Sequence, residues 1–89
     1  MKDIEIAKKY LEEENLTLSV VKNGELIYKS REKGIKPIYI LATEMKEIAK
    51  GASLADKVIG KGAALLCRYM NIKEVYGELM SETGIHVLE

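Results

Sequence analysis

The chain has 89 residues, which is enough for one domain with a small core. Hydrophobic residues make up 47% and charged ones 31%, which excludes a disordered polyelectrolyte. Fourteen Lys+Arg balance fourteen Asp+Glu, so no bulk charge draws the chain to nucleic acid or an anionic membrane, and neither partner is expected.

Residues 3–14 read as an amphipathic helix. Ile4, Ala7, Tyr10 and Leu11 recur at helical spacing, while Lys8, Lys9, Glu12, Glu13 and Glu14 fill the opposite face. Asp3 is placed to cap its start, and Asn15 to stop it. A β-rich run then alternates through Leu16, Leu18 and Val20, and Asn23-Gly24 separates it from Leu26-Ile27-Tyr28. Both turn residues accept positive φ, so the pattern predicts a hairpin with strands at 16–22 and 25–30. Ser30 to Gly34 form a polar exit loop.

Pro37 suits the first turn of a helix, and Ile38, Leu41, Met45 and Ile48 follow at helical spacing. A second helix is therefore expected within 35–49, although Ile38 to Leu41 alone would suit a strand. Residues 53–70 read as the longest helix. Ser53 stands at its N-cap and Asp56 in its first turn, and Ala55, Val58, Ile59, Gly62, Leu66, Tyr69 and Met70 follow one face. Gly60 and Gly62 would each cost about 1 kcal/mol inside such a helix, so close packing against another backbone is expected there. Asn71 ends it, and Lys73 to Met80 read as a strand with Val75, Gly77 and Leu79 on one face. Residues 81–89 fit either a helix capped by Ser81 or a turn at Thr83-Gly84 leading to a short strand. The order is α-β-β-α-α-β, and the last strand is expected parallel to the second, with the first between them.

The chemistry on offer is sparse. Gly60-Lys61-Gly62 lacks the leading glycine and the Ser/Thr of a phosphate loop, and it also fails as a dinucleotide fingerprint. One Cys allows no internal disulfide, which favours a reducing compartment, and one Cys with one His fall short of a zinc ligand set. No metal or cofactor is expected. Cys67, among Leu65, Leu66 and Tyr69, reads as core, and His86 as a surface or packing residue. The best candidate site is the predicted helix start at Ser53, Asp56 and Lys57, where free N–H groups would favour a phosphate or carboxylate. The charged N-terminus Met1-Lys2-Asp3-Ile4-Glu5 has no targeting signal, and Asp56, Lys57, Lys61 and Arg68 interrupt any spanning segment, so a cytoplasmic location is expected.

The stretch from Gly51 to Leu66, with Ala55-Asp56-Lys57-Val58 and Gly60-Lys61, together with Val75 to Glu82, resembles a small uncharacterised prokaryotic family with a cytidine-deaminase-like fold. Lys22 to Glu25 and Ser30 to Pro37 look like it too, so the resemblance covers most of the chain. It implies a three-layer α/β/α sandwich with a mixed sheet, here a single domain over 1–89 that is abbreviated at its C-terminus. In zinc deaminases a His/Cys-x-Glu motif opens one helix and Pro-Cys-x-x-Cys the next. The resemblance sets Ala55-Asp56-Lys57 and Met80-Ser81-Glu82 in those two regions, and neither holds a zinc ligand.

The function expected is therefore a deaminase-fold protein without zinc chemistry. It would bind a small nucleotide-like or anionic ligand at Ser53, Asp56, Lys57, Lys61, Ser81 and Glu82. The alternatives are a self-associating interaction module, with a homodimer as the simplest assembly, or a metal-independent enzyme built on Asp56 and Lys57 with Ser81 or Glu82.

Overall fold

The computed structural model describes residues 1–80. Helix α1 (Asp3–Glu13) leads into a hairpin of β1 (Leu18–Lys22) and β2 (Glu25–Ser30). Helix α2 (Lys36–Glu44) and the single turn α3 (Lys46–Ala49) follow, and then β3 (Ser53–Ile59), α4 (Lys61–Tyr69) and β4 (Glu74–Met80). The expectations for residues 81–89 lie outside the described residues.

The hairpin forms for the reason its sequence implies. Asn23 and Gly24 adopt φ of 52° and 80°, the left-handed pair that matches the twist of the flanking strands. Leu18 pairs with Ser30 and Val20 with Tyr28, and the register slips between Val20 and Val21. Pro37 lies in the first turn of α2, where its missing N–H costs nothing. Asn15 and Asn71, at φ of 53° and 58°, turn the chain out of α1 and α4. The cap of α1 differs from expectation. Lys2 occupies the N-cap, and the Asp3 carboxylate instead accepts the N–H groups of Asn23 (2.8 Å) and Gly24 (2.9 Å), tying the hairpin turn to the helix start.

The main correction concerns residues 53–70, which are a strand followed by a helix. Gly60 is extended (φ −97°, ψ −174°) and separates them as the N-cap of α4. Ser53 therefore caps no helix, and Asp56 sits in mid-strand. The periodicity misleads because β3 is an inner strand, covered on both faces. Ser53, Leu54, Ala55, Asp56 and Ile59 are all buried, so no alternation marks it as a strand.

The sheet order is β2-β1-β3-β4. Strand β1 is antiparallel to β2 and β3, whereas β3 and β4 run parallel, as the crossover through α4 requires. The last strand thus runs parallel to the second, as expected, but β3 intervenes between β1 and β4. Helices cover both faces. Ala7 and Leu11 of α1 pack with Leu16, Val21 and Ala55 on one side. On the other, Ile38, Leu41, Ala64 and Cys67 close over Leu18, Val20 and Leu54. The buried Ser19 hydroxyl donates to the carbonyl of Ala7, so the inner strand's polar atom is satisfied by α1. The described residues form a mixed α/β unit with a four-stranded mixed sheet and four helices. No helix among them is long and apolar enough to cross a membrane.

Candidate functional site

A cleft of about 500 Å³ opens where the end of β3 meets the first turns of α2 and α4. Its walls are largely apolar, with Leu18, Ile35, Pro37, Ile38, Val58 and Ala63. Thr17, Glu32, Lys33, Asp56 and Lys57 supply the polar groups. The topology builds this concavity, because α2 and α4 both begin at this end of the sheet and neither carries a side-chain cap. Their first backbone N–H groups therefore lack the satisfaction a Ser or Asp cap would give.

Asp56 is the charged group that the fold pushes furthest inward. It is 8% exposed, and its Oδ1 accepts the Val58 N–H at 3.2 Å. Burial raises its carboxyl from the ordinary 3.8 to about 6, and the backbone N–H groups of Val58 and Lys57 only partly offset this. Cys67 is buried in α4. Burial, with a smaller contribution from the Asp56 charge, pushes its thiol up to about 12. The cysteine is thus a buried core thiol, as its neighbours in the sequence imply.

Lys57 lines the same cleft, yet its ammonium donates to Asn15 Oδ1 at 3.1 Å, at the end of α1. The rim is held from the residue before β1: the Thr17 hydroxyl, with its one proton, lies between the carbonyls of Ser30 (3.0 Å) and Glu32 (2.6 Å). Arg31 Nη2 donates to the Glu14 carbonyl at 3.1 Å, and Gly34 turns the loop with φ of 90°. Ile35 then leans over α4. A Cβ on Gly62 would stand 2.8 Å from Ile35 Cδ1, so this glycine lets the rim close onto the helix.

The structure brings together two of the residues singled out in the sequence, Asp56 and Lys57. Ser53 is buried at the far end of β3, paired with Val21 and Glu74, and does not line the cleft. Lys61 is exposed at the first position of α4, and Ser81 and Glu82 lie outside the described residues. Glu32, Lys33 and Ile35 escaped sequence reasoning. Of the two glycines expected to pack closely against another backbone, Gly62 meets the Ile35 side chain instead, and Gly60 has open space where a Cβ would stand. The usable signals were Pro37 and Gly60, which mark the two helix starts that frame the cleft. The donors among the described residues do not gather into a zinc site. Among the described residues no three His, Cys, Asp or Glu side chains gather in a metal-binding group, and the chain has a single His and a single Cys.

No curated protein matches the chain. A crystal structure of a DUF1893 family protein from Thermotoga maritima is similar, with a TM-score of 0.85 and 25% sequence identity. The match covers 97% of this chain but 58% of that one, so this chain spans less than two thirds of that relative's length. The family described as a domain of unknown function, DUF1893, matches residues 6–89. With nearly its whole length accounted for, this chain belongs to the DUF1893 family.

Proposed function

We propose that this chain is a deaminase-like three-layer fold without zinc chemistry, whose cleft around Asp56 binds a small, nucleotide-like ligand. The element order supports the fold reading: a hairpin, a helix, an inner strand, a second helix and a parallel strand, with helices on both sheet faces. In zinc deaminases the ligand motifs open two helices. Here the helices that open onto the cleft begin Lys36-Pro37-Ile38 and Lys61-Gly62-Ala63, without a His or Cys. Ala55-Asp56-Lys57, which the resemblance sets at the first of these motifs, lies in β3 instead of at a helix start.

One observation carries the binding reading. Asp56 is a nine-tenths buried carboxylate in a largely apolar concavity, a position that weakens the fold. Such pockets with a few convergent polar groups are where small molecules bind. Titration of nucleosides and nucleoside monophosphates, followed by amide NMR, tests it. Saturable shifts at Val58, Gly62 and Ala63 are expected, and shifts confined to other surfaces or none at all refute the reading. The metal-free enzyme alternative is weakened by Lys57, whose ammonium bonds Asn15 rather than pairing with Asp56. A second reading, self-association as a homodimer, is favoured by Val58 and Leu79. They are register partners on β3 and β4, and they are 60% and 66% exposed.

A further inference from the structure

We infer that the group entering the cleft is a flat cation or neutral donor bearing adjacent N–H bonds, of the amidine, guanidine or amino-heterocycle kind, and that Asp56 receives it. The inference rests on the binding reading above and specifies its chemistry. A carboxylate offers acceptor positions for about four hydrogen bonds; Asp56 Oδ1 accepts the Val58 N–H, and the Lys57 backbone N–H also acts on the carboxylate, which leaves about two positions. The remaining acceptor capacity belongs to a group that lines the cleft. A buried carboxylate demands donors or a positive charge. The neighbouring ammonium does not supply them, because Lys57 Nζ is bonded to Asn15 Oδ1 at 3.1 Å.

The walls set the shape. Leu18, Pro37, Ile38 and Val58 offer apolar surface to a ring, and Glu32 places a second carboxylate at the rim beside Lys33. The uncapped starts of α2 and α4 would by themselves attract an anion. An anion in this cleft would meet the Asp56 charge in a poorly solvated space, where like charges repel strongly. A planar donor pair meets the opposite situation. Two parallel N–H bonds match a carboxylate edge, and the charge assists them.

Three probes with one ring separate the possibilities: benzamidine, benzamide and benzoate, titrated into the folded chain and followed through the amides of Val58 and Ala63. Benzamidine is expected to bind at least tenfold more tightly than benzoate, with benzamide between them. Asp56→Asn, which keeps the side-chain shape and the Val58 hydrogen bond, is expected to lose benzamidine binding at least tenfold while its spectrum stays dispersed. Benzoate binding as tightly as benzamidine overturns the inference, and so does an Asp56→Asn variant that binds benzamidine unchanged. The ranking of probes on the wild type stands even if that variant misfolds. If nucleotides shift the cleft amides and benzamidine does not, this inference falls and the cleft reading stands. If no ligand shifts them, both fall.

Discussion

At Asp56 the cost of the site can be measured as stability. Its carboxyl holds its proton more tightly in the fold than in the unfolded chain, with the value raised from 3.8 to about 6. Between those values the folded chain keeps a proton that the unfolded chain has released, so stability from this group falls as pH rises through that window. The shift corresponds to roughly 3 kcal/mol at most, lost by neutral pH. Asp56→Asn is therefore expected to be more stable than wild type at pH 7 by about 1–3 kcal/mol, and close to it at pH 4. Urea unfolding at both values checks this, and the difference between the two proteins cancels the titration of the shared carboxylates. Gly62 gives a second residue-level expectation. Alanine gains helix propensity, worth about 1 kcal/mol at most, but its Cβ must displace the flexible tip of Ile35. Gly62→Ala should stay within about 1 kcal/mol of wild type in urea unfolding, because one effect offsets the other. It should also move the Ile35 methyl resonances.

Among the elements, legibility followed local physics. The hairpin was readable because Asn23-Gly24 has few alternatives to a positive-φ turn, and α1 because one of its faces is solvated. Helix α2 and strand β4 were readable from Pro37 and from the β-branched and aromatic run at Val75-Tyr76. Strand β3 was not, because burial on both faces removes alternation and leaves Ala55, Val58, Ile59 and Gly62 at helical intervals by coincidence. That error moved the candidate site. The sequence puts Asp56 and Lys57 at a helix terminus that does not exist, and they reach the cleft as strand residues instead. Gly60 was the contrary signal, since two glycines so close together are costly in a helix. The link between α1 and the hairpin was invisible in sequence, since Asp3 acts on residues twenty positions away. Asp3→Ala removes the acceptor for both turn N–H groups, which lie at the surface and can turn to water. A loss of about 1 kcal/mol is expected, seen as a lower urea midpoint, with faster amide exchange at Asn23 and Gly24.

For the whole molecule, apolar surface is left at the cleft end of β3 and β4. Val58 and Leu79 stand opposite each other there, and Leu65 on α4 is 48% exposed. Tyr69 also faces outward, but Lys46 Nζ lies 3.9 Å from its ring centre and covers part of it. A sheet of four described strands has a small core, so added burial between copies is worth a large fraction of its stability. A symmetric homodimer is the commonest closed arrangement for such a patch. Under the self-association reading, sedimentation over a hundredfold dilution should show a dimer that dissociates at the low end. Leu79→Lys should shift that equilibrium toward monomer at least tenfold, because a charge would be buried in the contact. The residues that line the cleft need not change, so probe binding at Val58 and Ala63 should survive in Leu79→Lys. A monomer mass at every concentration, with a sharp cooperative melt, would show instead that the 89 residues cover their own core.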